Sequence, residues 1–247
     1  MVKKLLAVGC SYTADAYPFP VWPKLLAEKF NMECINLGQA GCGNEYIYSR
    51  TLDTLVTEKN LGLIVVMWTE FQRLDFCNDG IWKTLHYKVV DIERNKEPWA
   101  NKLMNTLTEK GYDDIVCQTE RSMRLFYSLQ QIIKLPEYDN LPFYQLMGTF
   151  PCEDEQKYTV AEAITDSPYL NKIDERLFLG WPIFGELGGW NIDTWLDKVD
   201  SGKRDQDSDL RISKTNSHPN KKGHEKIAEM LYNEIKRSVP NGLIQTT

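Results

Sequence analysis

The feature of this 247-residue chain that most constrains its fold is an unbroken apolar run, Leu63-Ile64-Val65-Val66-Met67-Trp68. A strand that is apolar on both faces is covered on both sides, as is typical of the centre of a parallel sheet. Two other apolar segments precede it, at Leu5 to Val8 and at Met32 to Leu37, and a helix-like segment follows each of them. This order predicts right-handed crossovers and a doubly wound α/β sheet.

Later segments extend this sheet. Residues 143 to 150 predict a fourth strand and residues 177 to 181 a fifth, while residues 74 to 140 form a long insertion between the third strand and the fourth. We therefore expect a three-layer α/β/α sandwich, flavodoxin-like, around a parallel sheet of about five strands. Residues 1–238 form a single domain in this interpretation, and residues 239–247 form a flexible tail.

Several local elements are predicted outside the sheet. The insertion contains a hairpin around Ile81 to Ile92 and a helix near Trp99 to Lys110, and a longer helix runs from Asp113 to Leu135. The charged segment from Asp200 to Lys214 is expected to be mobile. Pro219 is expected in the first turn of the last helix, with Ser217 or His218 before it as the cap.

Composition excludes several classes of function. With 42% hydrophobic and 26% charged residues the chain is globular, and 29 basic against 35 acidic residues leave scattered basic pairs that predict no nucleic-acid partner. No apolar run approaches the ~18 residues of a membrane span, and Gly9 interrupts the short amino-terminal run, so we expect no membrane partner and a cytoplasmic location. The six cysteines form no C-x-x-C pair and are expected to be free thiols.

A serine and a histidine stand where reacting groups collect in such a sheet. Ser11 follows the first strand, and the carboxyl ends of parallel strands open into a crevice between helices. His218 precedes the last helix and could act as a base toward Ser11, although an ordinary serine turn and a helix-capping histidine are the alternatives. His224 lies six residues beyond His218 and on another side of a helix, so the pair cannot chelate one ion, and we expect no metal and no cofactor.

These segments together resemble the SGNH hydrolases, also called GDSL-like esterases and lipases, as a divergent member. Gly9-Cys10-Ser11 resembles the family's first block, Gly-Asp-Ser, with Cys10 in place of the acid and Ser11 at the position of the nucleophile. Asn36-Leu37-Gly38-Gln39-Ala40-Gly41 resembles the second block, in which the N–H of the glycine aligned with Gly41 joins an oxyanion hole.

The third and last blocks depart further from the family. Trp68-Thr69-Glu70-Phe71-Gln72-Arg73 stands where the family has an asparagine, in a form similar to that of small, often phage-encoded members. His218-Pro219 resembles the end of Asp-x-x-His-Pro, and Thr215 occupies the position of the aspartate. The family's asparagine and aspartate are therefore both absent.

The resemblance implies a serine hydrolase that cleaves an ester, with a short acyl or O-acetyl group on a small molecule or a carbohydrate. Ser11 is the implied nucleophile and His218 the base, and the oxyanion hole takes the N–H groups of Ser11 and Gly41 with the hydroxyl of Thr69 as a third donor. One alternative is a catalytically weak or inactive binding or structural module of the same fold. Transfer of the acyl group to an acceptor alcohol is another.

The partner that orients His218 is left open by the sequence. Asn216 could accept a hydrogen bond through its amide carbonyl, and we favour a dyad of Ser11 and His218 assisted by this neutral acceptor. A carboxylate from the charged segment is the alternative, with three candidates: Asp205, Asp207 and Asp209.

Asn44 and Arg73 are further candidates for orienting a group or contacting the substrate. Arg73 could clamp an acidic substrate, or it could pair with a structural carboxylate. The sequence does not determine the oligomeric state.

Overall fold

A parallel sheet of five strands forms the centre of the molecule. The computed structural model describes residues 2–86, 98–112, 114–200 and 208–238. Its strands, in chain order, are β1 (Lys4–Gly9), β2 (Glu33–Asn36), β3 (Leu61–Trp68), β4 (Arg73–Asn78), β5 (Ile81–His86), β6 (Phe143–Met147), β7 (Phe178–Leu179), β8 (Arg211–Ser213) and β9 (Asn216–Pro219). Its helices are α1 (Trp22–Lys29), α2 (Asn44–Thr57), α3 (Pro98–Glu109), α4 (Ile115–Ile133), α5 (Lys157–Asp166), α6 (Ile192–Val199) and α7 (Lys221–Ser238).

The sheet order is β2-β1-β3-β6-β7, with every neighbouring pair parallel. The chain first moves outward from β1 to β2 and then back across to β3, so right-handed crossovers place α1 and α2 on opposite faces. Helix α7 packs on α1, while α4 packs on both α2 and α5. The predicted three-layer α/β/α sandwich is confirmed. The direction of winding reverses between β1 and β3, and ligands bind beyond the carboxyl ends of the strands at such a point.

The predicted central strand is confirmed as β3, in which all eight residues are buried. The ring of Phe126, on α4, lies 4.7 Å from the ring of Trp68 at the end of β3. Helix α4, capped by the carboxylate of Asp114, is therefore a layer helix of the sandwich. Among the described residues between β3 and β6, the β4–β5 hairpin and α3 accompany α4, so part of the segment predicted as an insertion over residues 74 to 140 belongs to the sandwich.

The hairpin begins earlier than predicted. Strands β4 and β5 pair in antiparallel register around Asp79 and Gly80, which have φ angles of 51° and 76°. Two consecutive positive φ angles and an Asp-Gly sequence are the signature of a tight hairpin turn, and this signal places the hairpin over residues 73–86. Residues 87–92 of the predicted hairpin lie outside the described residues.

The segment before the last helix differs from the prediction. Pro219 ends β9, where it pairs with Arg211 of β8, and α7 begins only at Lys221. The side chain of Asn220 accepts a hydrogen bond from the N–H of Gly223 at 3.1 Å, so Asn220 is the cap of the helix. Strand pairing keeps the two residues before Pro219 extended, and neither of them caps the helix.

Part of the segment expected to be mobile is ordered. Arg211, in β8, is 3% exposed, and the side chain of Asn220 donates to its backbone oxygen at 2.9 Å. Residues 201–207 and 239–247 lie outside the described residues. All six cysteines are free thiols, as predicted, and Cys10, Cys42 and Cys152 are buried. Over the described parts of the chain, no helix is long and apolar enough to cross a membrane.

Candidate active site

Ser11 and His218, 207 residues apart in the chain, meet at the carboxyl edge of the sheet. The Oγ atom of Ser11 lies 2.8 Å from Nε2 of His218. The turn after β1 presents Ser11, and the N–H of Thr13 closes this turn on the carbonyl of Cys10 at 2.9 Å. A Cβ atom at Gly9 would lie 2.2 Å from Oγ1 of Thr13, so only glycine permits this turn.

Asn216 determines which nitrogen of His218 carries the proton. Its Oδ1 lies 2.7 Å from Nδ1 of His218 and accepts the backbone N–H of the same residue at 3.2 Å. Only the oxygen of an amide accepts a backbone N–H, so the contact at Nδ1 must be an N–H donating to Asn216. Nε2 is then the free acceptor that faces the hydroxyl of Ser11, which is the tautomer that a general base requires. Asp209 is exposed, and Asp205 and Asp207 lie outside the described residues.

Cys10 is fully buried beside Ser11, as expected for a residue pointing to the other face of the strand. Its Sγ lies 4.0 Å from the Oγ of Ser11. The thiol therefore sits behind the hydroxyl and has no surface from which to attack a substrate.

The loop before α2 brings Gly41 to the same cavity as Ser11. Gly41 has a φ angle of 79°, a left-handed conformation that favours glycine. Asn36 joins this loop to the serine turn, because its amide donates to the carbonyl of Thr13 at 2.8 Å and accepts the N–H of Gly38 at 2.9 Å. No described residue accepts a hydrogen bond from the backbone N–H of Ser11 or of Gly41. Two donors are thus available at the cavity wall.

Strand β4 supports the Gly41 loop through two side chains on one face. Nη1 of Arg73 donates to the carbonyl of Cys42 at 2.9 Å. The carboxylate of Asp75 accepts the N–H groups of Gly43 and Tyr46, both at 2.8 Å, at the positive end of the α2 dipole. The hairpin that the sequence analysis treated as an insertion is therefore a structural part of the site.

Arg73 lines the cavity, but its guanidinium is engaged within the protein. Besides Cys42, it contacts Oε1 of Glu70 through Nη2 at 2.9 Å. Burial lowers the pKa of Arg73, but the attraction of Glu70 outweighs this effect, so the pKa is raised and the group stays charged. Of the two roles considered for Arg73, pairing with a structural carboxylate is the one observed.

The third oxyanion donor expected from Thr69 is not found. Thr69 is fully buried, its hydroxyl lies 3.5 Å from that of Thr149, and Thr149 rather than Thr69 forms the cavity wall. Of the two roles considered for Asn44, orienting a group or contacting the substrate, its hydrogen bonds fit the first. Its amide holds the backbone N–H and carbonyl of Thr69 at 3.0 and 3.2 Å and also donates to Ser122. Asn44 takes a structural position and orients the loop after β3.

A buried polar cluster that the sequence analysis missed lies beside the dyad. The hydroxyl of Tyr12 donates to Oδ1 of Asp193 at 2.7 Å, and Nη1 of Arg211 contacts the same oxygen at 2.6 Å. Nη1 of Arg211 also donates to the backbone carbonyl of Ser217 at 2.6 Å, and its Nη2 reaches Asp197 at 2.7 Å. The only hint in the sequence was the position of Tyr12 directly after Ser11.

The cluster stays ionised around a neutral tyrosine. Burial, together with the charge of Asp193, raises the pKa of Tyr12 well above its ordinary value, so the phenol keeps its proton and donates. Burial lowers the pKa of Arg211, but attraction to Asp193 and its neighbours outweighs burial and raises it overall. The hydrogen bonds of the cluster therefore keep their direction over the physiological pH range.

His224 is a second histidine near the dyad, and its environment excludes it from acid–base chemistry near neutral pH. It is fully buried, and its Nδ1 accepts the backbone N–H of Trp22 at 3.3 Å. Burial lowers the pKa of His224 to about 4, with a contribution from His218. Within the described residues, no group of His, Cys, Asp or Glu could hold a metal ion.

The cavity around the dyad has a volume of about 820 Å³ and a mostly polar wall. Among the described residues, the apolar side chains in its lining are Ala40, Phe150 and Cys152, beside the ring of Tyr12. Acidic side chains outnumber basic ones in the lining, where Arg73 faces Glu70, Glu153, Asp154 and Asp193.

No family model and no curated protein matches this sequence. Among solved structures, a protein assigned to the lipolytic G-D-S-L family from Desulfitobacterium hafniense DCB-2 is 16% identical, with a TM-score of 0.48 over 94% of this chain and 99% of that one. A catalytic mutant of an acetylxylan esterase from Geobacillus stearothermophilus is 14% identical, with a TM-score of 0.46 over 99% of this chain and 97% of that one. These values establish neither activity nor substrate. The first of these structures is assigned to the G-D-S-L family, which is the family that the sequence motifs of this chain resemble.

Proposed function

We propose that the protein is a serine hydrolase that cleaves an ester through a dyad of Ser11 and His218. The observation that carries the proposal is the contact of 2.8 Å between Ser11 Oγ and His218 Nε2, with Nδ1 held by Asn216 in the tautomer of a general base. The unpartnered N–H groups of Ser11 and Gly41 at the same cavity support an oxyanion hole of two donors.

In the proposed reaction, His218 accepts the proton of the Ser11 hydroxyl while Oγ attacks the carbonyl carbon of the ester. The N–H groups of Ser11 and Gly41 stabilise the resulting oxyanion. The tetrahedral intermediate expels the alcohol, which takes the proton from His218, and leaves an acyl group on Ser11. A water molecule then attacks the acyl-enzyme with His218 as the base, and the acid and free Ser11 are released.

The wall of the cavity supports a short acyl group on a polar, uncharged alcohol. The few apolar lining residues offer no extended slot for a long acyl chain. Glu70 and Asp193 pair with Arg73 and Arg211, whereas Asp154 is exposed at the cavity. A neutral alcohol that can donate a hydroxyl to Asp154 therefore fits this wall better than a substrate with a phosphate or carboxylate. An O-acetyl or similar group on a neutral carbohydrate fits these features.

The test combines covalent labelling with hydrolysis. We expect a fluorophosphonate probe to label the wild type but not Ser11→Ala, and His218→Gln to lower kcat by about 10³-fold or more. We expect p-nitrophenyl acetate to be cleaved at least about 10-fold faster than the octanoate, because the cavity lacks an apolar slot. Cys10→Ser is the matched control at the neighbouring position, and it should be labelled and retain activity.

Three outcomes would contradict the proposal. A folded wild type that is neither labelled nor hydrolytic would favour the binding or structural module. Labelling of Ser11→Ala, lost in Cys10→Ser, would assign the nucleophile to the thiol. Faster release of p-nitrophenol on addition of neutral sugars, with the acetyl group recovered on the sugar, would indicate transfer rather than hydrolysis.

A further inference from the structure

The cluster of Tyr12, Asp193 and Arg211 is joined to the chain neighbours of both members of the dyad. Tyr12 follows Ser11 directly, and Ser217 directly precedes His218. The carbonyl of Ser217 accepts a hydrogen bond from Nη1 of Arg211 at 2.6 Å and lies 3.2 Å from the hydroxyl of Tyr12, which itself accepts from Nη1 of Arg211 at 3.0 Å. One buried unit therefore links the backbone that carries the base to the turn that carries the nucleophile.

The strand that carries His218 needs such a link. Strand β9 has four residues and pairs only with the three residues of β8, outside the central sheet. A two-stranded ribbon of this size has little stability of its own. Asn216 belongs to the same ribbon and fixes the tautomer of His218, but it cannot fix the position of the ribbon relative to Ser11.

The cluster supplies the missing connection, because Arg211 on the ribbon meets side chains from two other parts of the chain. Asp193 lies in α6, Tyr12 in the turn after β1, and Arg211 in β8. These residues are 4%, 3% and 3% exposed, so solvent competes little for their hydrogen bonds. The ring of Tyr12 also packs edge-on against the ring of His218, with 5.4 Å between the centroids.

We propose that Tyr12, Asp193 and Arg211 are positioning residues that hold His218 against Ser11. Their hydrogen bonds run to one another, to Asp197 and to the backbone carbonyl of Ser217. Since Nδ1 of His218 contacts the neutral amide of Asn216, the distance between base and nucleophile depends on this buried unit. This inference rests on the proposed function of Ser11 and His218, and it assigns a role in that function to three further residues.

The test compares two buried tyrosines. Tyr12→Phe removes the hydroxyl that joins Asp193 and Ser217 while keeping the ring on His218. Tyr144→Phe is the matched control, since Tyr144 is 5% exposed, loses one hydroxyl contact of 2.6 Å to Ser238, and does not line the cavity. We expect Tyr144→Phe to lose about 2–4 °C in Tm, which is typical of one hydrogen bond in a chain of this size, and Tyr12→Phe to lose at least as much, because its hydroxyl contacts Asp193, Ser217 and Arg211.

The kinetic result should separate the two variants. We expect Tyr12→Phe to lower kcat about 10-fold with KM within about twofold, because a displaced base slows chemistry without removing a substrate contact. Tyr144→Phe should leave kcat within about twofold of the wild type. Equal kcat values in the two variants would overturn the proposal.

A second readout does not depend on activity. The chain has three histidines, so the Nδ1–H resonance of His218 can be assigned by its loss in His218→Gln. We expect this proton to exchange with water faster in Tyr12→Phe than in the wild type and in Tyr144→Phe. If the wild type proves inactive but the exchange result holds, positioning stands and the proposed function fails. Unchanged exchange in Tyr12→Phe refutes positioning whether or not the protein is active.

Arg211 provides an independent variant. Arg211→Lys keeps the charge but cannot reach Ser217, Asp193 and Asp197 together, so we expect a loss of kcat at least as large as in Tyr12→Phe. If Arg211→Lys keeps the kcat of the wild type, the proposal is contradicted. Should this variant fail to fold, the tyrosine pair still decides the question.

Discussion

The two sides of the proposed site are held in different ways. On the oxyanion side, Arg73 and Asp75 reach the Gly41 loop through hydrogen bonds between residues 29 to 32 positions apart. On the base side, Tyr12 reaches Asp193 and Ser217 across 181 and 205 positions. On the oxyanion side, the conformation of the backbone, supported by the neighbouring strand β4, places the proposed N–H donors. On the base side, a buried group of charged and polar side chains places His218.

This difference indicates where each side is vulnerable. A donor that is a backbone N–H survives most substitutions and is displaced only by a change in φ. A base placed by side chains is lost when one of its hydrogen-bond partners changes. Substitutions on the base side should therefore affect catalysis more than those on the oxyanion side.

The largest expected effect is that of Asn216→Leu. Leucine has a similar size but accepts no hydrogen bond, so His218 loses the partner that holds Nδ1–H and the correct tautomer. We expect kcat to fall by about 10²-fold, measured with an activated acetate ester. Asn216→Asp is the matched variant. Its carboxylate should favour the protonated imidazole, so the acid limb of the kcat/KM profile should move to higher pH. Activity retained in Asn216→Leu would show that the ribbon alone orients the base.

Gly41→Ala should have the next largest effect, about 10-fold in kcat, because a side chain at a φ of 79° strains the loop and displaces the N–H donor. Gly80→Ala is the control. Gly80 has a φ of 76° and open space around a Cβ atom, and it lies in the β4–β5 turn away from the cavity. Both variants should lose about 1–2 kcal/mol of stability, but only Gly41→Ala should lose activity. Equal kcat values would remove Gly41 from the oxyanion hole.

The buried His224 makes the stability of the folded protein sensitive to acid. The pKa of His224 is lowered to about 4 from 6.5, so between these values the unfolded chain binds a proton that the folded protein does not. The contribution of His224 to the free energy of unfolding should therefore be complete above about pH 6.5 and decrease as the pH drops toward 4. The decrease should be about 1.4 kcal/mol per pH unit, or about 3 kcal/mol over this range. Urea titrations at several pH values give the free energy of unfolding as a function of pH. This dependence should be weaker in His224→Gln, whose amide oxygen can still accept the N–H of Trp22. An unchanged dependence would mean that other groups cause the acid sensitivity.

Thr69→Val should have the smallest effect. The hydroxyl of Thr69 is buried and only 3.5 Å from that of Thr149, so its loss should change kcat by less than about threefold. A loss of 10²-fold, as expected for an oxyanion donor, would mean that Thr69 turns into the cavity when substrate binds.

Much of the architecture could be predicted because it follows from local patterns. The apolar run of β3 and the alternation of strands and helices predicted the order and direction of the sheet. Errors occurred where a turn signal or a pairing partner decided the structure. The Asp79-Gly80 turn moved the hairpin, and pairing of β9 with β8 kept Pro219 in a strand.

The residues of the proposed site also differ in how far local patterns in the sequence predicted them. Ser11, Gly41, His218 and Asn216 could be selected from the sequence, because each lies in a short motif with a known chemical role. Thr69 and Asn44 could not be placed from the sequence, since a hydroxyl or amide serves the cavity or the interior equally well until its neighbours are known.

By itself, the sequence determined the sheet, the serine turn and the identity of the histidine, because burial periodicity and turn chemistry are properties of a few consecutive residues. Only the tertiary structure decided which groups meet around His218. Tyr12, Asp193 and Arg211 are separated by up to 199 residues, and their contacts exist only because the turn after β1, α6 and the β8–β9 ribbon pack at one edge of the sheet. Hydrogen bonds between distant side chains depend on that packing, and no local pattern encodes them.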